Sequence, residues 1–477
     1  MRLNAFELRY YPPAVTVRYT RHGGVDAVAD VFEVPFCVTS VQECLDFLRT
    51  QHPFLNHYRE QTAQISKALV DAQAMGLKGK YVPRAVLTSH LLPITCCSLD
   101  KAGELLVTTS HDRTAKIYRL DPTCAGAPAT ELWTLEGHEH LVYTGRFSYP
   151  AARICATASF DGSCRLWDVE SGQSLATLID SSRIAELLCL DFSPTREELL
   201  ALGASNGMVY VWDINRPDQA LMSLQAHAEE AVSVSFDGKT GNKLITASFD
   251  GQVLVHDLRT LSVSLSDGLQ ENQDSVSRNA TSKLIVKHPV EITSVSTDWG
   301  TTMVASGSAD GTLCVTDLRA PEHPLYRHCF GAEIMSCSLA LSKRYSAVAV
   351  HKGDSMCIPD PISRSHRPRK AKKNEVDAYI IDNDQGGLVG LLQGHVGEIN
   401  TVRFTYPGFG SRIVTCSEDR TVRVWGGPDD LKKPLAEVTR LDGHTDAVTC
   451  LDVSYDSSII VSAAANNVCR MYSWVPK

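Results

Sequence analysis

The chain has no long apolar run, no surplus of basic charge and no paired-cysteine motif, and each absence removes a class of function. No apolar stretch approaches the ~20 residues that cross a bilayer as a helix, so a membrane partner is not expected. Lys and Arg number 46 against 55 Asp and Glu, a net charge of −9. That balance lacks the positive field that draws nucleic acid or an acidic lipid surface. The cysteines are odd in number, 15 in all, and scattered without a Cys-x-x-Cys pair, although Cys96 and Cys97 are adjacent. They read as reduced, mostly buried small residues, with neither a disulfide framework nor a zinc site. The opening Met1–Phe6 lacks the apolar core of a secretory signal, which points to the cytoplasm. There is no phosphate-binding glycine loop, no metal-ligand spacing and no unique nucleophile. No metal and no cofactor are expected, and an enzyme is the least favoured class.

What is present is a recurrence. Arg165-Leu166-Trp167-Asp168 and Tyr210-Val211-Trp212-Asp213 close two segments, and His256-Asp257, Thr316-Asp317 and Trp425-Gly426 close others in degenerate form. Upstream stand His90, His138, His227, His288, His395 and His444, followed by Asp112, Asp161, Asp250, Asp310, Asp419 and Asn466. The gaps from histidine to acid or amide are 22, 23, 23, 22, 24 and 22 residues. A period of roughly 40–45 residues with Gly-His at one end and Trp-Asp at the other marks a β-propeller blade. Runs such as Leu187–Phe192, Leu199–Ala204 and Met208–Ile214 supply the strands. Asp161-Gly162, Asn206-Gly207, Asp250-Gly251 and Asp310-Gly311 supply tight turns.

Eight units follow His90. Two insertions lengthen them, polar Ser262–Ser282 and basic Pro359–Lys373, the latter with Arg364, Arg367, Arg369, Lys370, Lys372 and Lys373. No His or Trp marks the sixth unit at the repeat positions; Ile334–Leu339 and Ala347–Val350 read as strands, and Ala378–Asp382 as a returning outer strand. The last unit stops at its third strand, Val468–Trp474, while Tyr81–Leu87 is an outer strand without a blade. Pairing the two closes the ring and removes an exposed edge. The expected fold is therefore all-β: an eight-bladed WD-repeat β-propeller over residues 81–477, preceded by a small α+β domain over residues 1–80. In that domain Phe6–Tyr10, Val15–Tyr19 and Val28–Phe32 read as strands. Val41–Arg49, capped by Ser40 and Glu43, and His57–Gln73 read as helices. Packed on the ring, this unit would form a cleft.

His138, Ser159, Asp161 and Trp167, and again His395, Ser417, Asp419 and Trp425, contain the residue types of a hydrolase triad. A triad occurs once, whereas this set recurs in part around the ring. It reads instead as a buried hydrogen-bonded chain within each blade, with the indole donating, the serine relaying, the histidine bridging and the aspartate accepting. Surface candidates come from the residues flanking each turn aspartate. His111, Phe160, Ser205, Phe249, Ala309 and Glu418 precede it, and Arg113 and Arg420 follow it. Phe160 and Phe249 either anchor a partner or pack on a neighbouring loop. Arg113 and Arg420 either meet acidic partner segments or stay solvated. Tyr10, Tyr11, Pro12 and Pro13 either shape the cleft or form a buried rigid turn.

Arg2-Leu3, then Phe6-x-Leu8-Arg9-Tyr10-Tyr11-Pro12-Pro13, together with Ser89-His90-Leu91-Leu92-Pro93-Ile94-Thr95 and Ala158-Ser159-Phe160-Asp161, resembles the outer-arm dynein assembly factors with WD repeats. The resemblance covers the whole chain in layout and is specific mainly in residues 2–13 and 89–95. It implies a monomeric, non-enzymatic cargo adaptor with two partners, axonemal outer-arm dynein and a subunit of intraflagellar transport complex B. It implies residence in the cytoplasm and the cilium or flagellum, near the basal body. The sixth unit and the basic insertion depart from the family pattern. A second reading rests on His256-Asp257-Leu258-Arg259 and Thr316-Asp317-Leu318-Arg319, which resemble the Asp-x-Arg endings of cullin–RING ubiquitin ligase receptors. A third is a general assembly scaffold.

Overall fold

In the computed structural model the described residues are 2–10, 13–20, 27–33, 60–64, 79–121, 127–149, 151–179, 185–237, 240–259, 281–297, 302–340, 343–351, 357–358, 369–370, 377–405, 412–426 and 435–476. Eight antiparallel four-stranded sheets are the blades of a propeller. Short runs rich in Val, Ile, Leu and Ala form most second strands and are buried on both faces, as in Leu199–Ala204 and Ile459–Ala464, and the third strands are largely buried, as in Met208–Asp213. Outer strands such as Ala129–Leu135 alternate towards solvent. This gradient from core to rim explains why the outer strands are the least legible in sequence.

The inner strands are Ile94–Leu99, Val142–Phe147, Leu187–Phe192, Ala231–Phe236, Ile292–Thr297, Ile334–Leu339, Ile399–Phe404 and Val448–Val453. Each packs beside the next, and the last beside the first, so the ring is closed. Apolar clusters fill the seams between blades; Ala156, Leu166, Leu190, Phe192, Leu200 and Trp212 form the one between blades two and three. Blade eight is built from both ends of the ring. Its outer strand is Gly79–Leu87, paired with Cys469–Pro476 so that Tyr81 faces Trp474 and Leu87 faces Cys469. The Tyr81 and Trp474 rings meet edge to face at 4.9 Å, and the Tyr81 hydroxyl donates to the Ser457 carbonyl at 2.7 Å.

Blade six needs a correction. Ala378–Asp382 is not its outer strand but lies within its third, Asp377–Asp382, which pairs with Tyr345–Val350. The outer strand is Gly387–Gln393. The basic insertion separates the second strand from the third, where other blades have a tight turn, and this displaced the count by one. Asn383 braces this blade in place of the usual network. It accepts from the hydroxyls of Tyr326 (2.7 Å) and Ser346 (2.6 Å) and donates to the Lys343 carbonyl at 2.7 Å. Ser262–Ser282 is also shortened as an insertion, because Thr281 and Ser282 begin the outer strand Thr281–Lys287 of blade four.

The N-terminal segment contains a three-stranded antiparallel sheet, Arg2–Tyr10, Pro13–Thr20 and Ala27–Glu33. Residues 60–64 are helical. The expected helix Val41–Arg49, and the remainder of His57–Gln73, lie outside the described residues.

Candidate partner-binding face

Each turn between second and third strands is organised by its aspartate. In blade two the Asp161 carboxylate accepts from His138 Nδ1–H (2.8 Å), the Glu139 N–H (3.0 Å), the Ser163 N–H (2.8 Å) and the Ser163 hydroxyl (2.6 Å). Blade seven repeats this with Asp419, His395 and Thr421. Burial pushes the Asp112 carboxyl of blade one upward, but hydrogen bonds from Thr114, the Leu91 N–H and His90 outweigh it and hold it at about 2. Asp161 and Asp419 are held low by the same balance. Burial depresses His90, His227 and His395 against the pull of their aspartates.

The relay in the chain is a threonine, not the serine expected. Trp167 Nε1–H donates to Thr157 Oγ1 at 2.9 Å, and the Thr157 hydroxyl donates to His138 Nε2 at 2.8 Å. Trp425, Thr415 and His395 repeat the chain at 2.9 and 2.8 Å. Thr157 lies in the middle of the second strand, between indole and imidazole, whereas Ser159 sits at the strand's end. There Ser159 donates to the Leu141 carbonyl at 2.8 Å and accepts from the Asp161 N–H at 3.1 Å. Ser417 likewise accepts from the Asp419 N–H at 3.1 Å. Ser159 and Ser417 shape the turn and do not touch the histidine, so no triad is assembled. Sequence carried a signal for the relay: in six of the eight blades a Thr or Ser stands ten residues before the Trp position, as at Thr157 and Trp167, Thr246 and His256, and Thr415 and Trp425, whereas Leu202 precedes Trp212 in blade three. In blade four His256 takes the indole's part. Its Nε2–H donates to Thr246 at 2.9 Å while Nδ1 accepts from the Ser282 hydroxyl at 2.8 Å. Among the described residues no group of three or more His, Cys, Asp or Glu could hold a metal ion.

These networks determine what the loop face displays. Because each carboxylate grips both the histidine and the next backbone N–H, the residue after the histidine is turned outward. Leu91 and Val396 occupy that position and are 83% and 72% exposed. Leu92, Tyr143 and Val290 are also exposed apolar residues. Sequence reading missed this position, although its signal is simply the residue that follows each histidine. Phe160 is half-buried and stacks on Tyr143, on the inner strand of its own blade, with ring centroids 5.5 Å apart. Phe249 is half-buried in the corresponding turn of blade four, and His111 is exposed in blade one. Arg113 and Arg420 are exposed and hold φ of 70° and 69°. Glycines 162, 207, 251 and 311 occupy the same turn position with φ of 77–79°. Two arginines thus accept a conformation that favours glycine, and among the described residues neither makes an ion pair. Tyr10 and Pro13 face each other at the end of the first N-terminal hairpin; Tyr11 and Pro12 lie outside the described residues. Arg259 and Arg319 are exposed and chelate Asp257 and Asp317 in the same way, each through Nε and its own backbone N–H.

The model of the WD domain, G-beta repeat matches residues 81–119, 129–168, 281–317, 386–426 and 435–473. These segments are WD repeats; blade three, most of blade four and most of blade six lie outside them. Among curated proteins the chain is similar to the dynein assembly factor with WD repeat domains 1 of Macaca fascicularis, 29% identical over 196 residues, 41% of this chain and 45% of that one. The factor of the same name from Homo sapiens is 32% identical over 152 residues, 31% of this chain and 35% of that one. The Arabidopsis thaliana transcriptional corepressor LEUNIG_HOMOLOG is 29% identical over 195 residues, 40% and 23% of the two chains. The chain thus spans less than half the length of these relatives. Among solved structures, the computationally designed Ika8 protein superposes with a TM-score of 0.59 at 21% identity, covering 82% of this chain and 99% of that one. That likeness concerns the fold alone.

Proposed function

We propose that this WD-repeat propeller is a non-enzymatic adaptor in dynein assembly. The observation that carries a binding role is the loop face. A stabilised ring has no structural need for Leu91 and Val396 in water, or for arginines at glycine positions. Exposed apolar residues rimmed by cations are the composition of a protein-binding surface. The dynein assignment is supported by the names of two of the relatives and by the resemblance in residues 2–13 and 89–95. In its finer form the proposal is a link between preassembled outer-arm dynein and intraflagellar transport complex B, made in the cytoplasm and carried into the cilium or flagellum. The contact residues would be His111, Arg113, Phe160, Phe249 and Arg420 on the ring and Tyr10, Tyr11, Pro12 and Pro13 on the N-terminal hairpin. Two weak contacts on one molecule reinforce each other through effective concentration.

The test is affinity purification of the tagged chain from ciliated or flagellated cells, with mass spectrometry of what accompanies it. Outer-arm dynein chains together with transport subunits support the proposal. The matched chelates of Arg259 and Arg319 favour a second reading, a cullin–RING ligase receptor. Recovery of a cullin and its adaptor, lost on Arg259→Ala and Arg319→Ala, would replace the first reading.

A further inference from the structure

The eight inner strands are each six residues long, so their seams can be compared position by position. At each seam the third residue of one inner strand lies beside the fourth residue of the next. Between blades five and six this places Ser294 against Cys337; between six and seven, Ser336 against Val402. Seven seams offer at most one thiol at this pair of positions. The seam from blade eight to blade one offers two, Cys450 and Cys97, with their sulfurs 3.5 Å apart.

This seam differs from the others in how the chain reaches it. Cys97 follows directly from the strand Gly79–Leu87, and Cys450 belongs to the three strands that Gly79–Leu87 completes. Opening the ring here means releasing the pairing of Gly79–Leu87 with Cys469–Pro476 and parting the apolar seam of Ile94, Leu106, Val461 and Met471, and it separates the two sulfurs. A bond between them would close the ring covalently. The backbone is already in register for it, since two residues further along the Leu99 N–H donates to Asp452 Oδ2 at 2.9 Å.

We propose that Cys97 and Cys450 are a redox modification site whose disulfide clasps the propeller shut. Cys450 is half-buried, two residues from Asp452, which lines a cavity of about 240 Å³ at the channel end. Cys97 is buried behind it. Cys450 is therefore the thiol an oxidant meets. The Cys97 S–H directed at its sulfur lowers its pKa and raises that of Cys97, and thiolate character sets the rate of oxidation. With a hydroperoxide as oxidant, Cys450–SH becomes Cys450–SOH as the peroxide O–O bond breaks and an alcohol or water leaves. The Cys97 sulfur then attacks the sulfenic sulfur, water departs with the Cys97 proton, and the S–S bond forms. The sulfurs approach from 3.5 Å to about 2.05 Å, within reach of small side-chain rotations.

The test oxidises the reduced full-length chain with hydrogen peroxide under native conditions, then alkylates free thiols, digests and maps the cross-link by mass spectrometry. The expected result is one disulfide joining the peptide of Cys96 and Cys97 to that of Cys450. It should be abolished by Cys97→Ser and by Cys450→Ser, and kept by Cys96→Ser. The oxidised wild-type should melt several degrees higher, and dithiothreitol should reverse this. Three results would overturn the proposal. These are both thiols remaining alkylatable after oxidation of the folded wild-type, a cross-link that needs Cys96 rather than Cys97, and a cross-link that leaves the melting temperature unchanged. The wild-type readout stands even where a serine variant fails to fold.

Discussion

Replacing Thr157 by Val keeps the shape and removes only the hydroxyl. In the folded ring that hydroxyl accepts from Trp167 Nε1–H and donates to His138 Nε2. All three side chains are buried, so water cannot replace it, and the substitution leaves one buried donor and one buried acceptor unpaired. Each orphaned group costs about 1–3 kcal/mol, which gives roughly 2–5 kcal/mol for the pair. Valine fills the same space and prefers the strand, so no cavity adds to this cost. Ser159→Ala removes two hydrogen bonds, to the Leu141 carbonyl and from the Asp161 N–H, at the edge of the turn, a loss of about 1–2 kcal/mol. The assay is urea denaturation of wild-type and both variants, followed by tryptophan fluorescence and far-ultraviolet circular dichroism together, because a ring of this size need not unfold in one step. Thr157→Val should shift the transition of the blade-two region well below wild-type and below Ser159→Ala. A Thr157→Val variant within about 0.5 kcal/mol of wild-type, or one more stable than Ser159→Ala, would refute the threonine relay.

Acid should weaken the ring in two stages. Burial, with small charge effects, lowers His256, His288 and His444 from 6.5 to about 4. The unfolded chain therefore takes up protons that the folded ring refuses. The stability is fully present above pH 6.5 and falls towards pH 4, by up to roughly 2–3 kcal/mol per histidine. Asp112, held at about 2 against 3.8, adds a second loss between about pH 4 and 2. Denaturation midpoints unchanged from pH 7 to pH 5 would contradict this. Arg113→Gly should stabilise the ring by about 0.5–1 kcal/mol, by relieving a left-handed backbone, while weakening partner capture; calorimetry and pull-down read the two effects separately. Removal of residues 1–89 takes away the strand Gly79–Leu87 and should lower the melting temperature relative to a chain starting at residue 79.

The blades were legible because their signals are local. A strand of β-branched and aliphatic residues, a turn residue tolerating positive φ, and a histidine at a fixed distance from an acid can each be read without knowing the neighbours. The outer strand of blade six escaped because an insertion replaced its turn, and its brace, Asn383 with Tyr326, joins residues 57 positions apart. The network residues were legible as a set, but their wiring was not. Ser159 and Thr157 both carry hydroxyls on one strand, and only the geometry says which one faces the imidazole. The apolar display at Leu91 and Val396 was hidden for the opposite reason. A leucine in a sequence suggests core, and only the carboxylate grip on its own N–H turns it outward.

The function proposed for this ring depends on the loop face capturing a partner. The most direct measurement compares the wild-type chain with Leu91→Asp, Val396→Asp in the same affinity purification, with circular dichroism confirming that both are folded. The variant should melt like wild-type and lose dynein chains, transport subunits or both. Identical partner recovery from the two proteins would contradict this.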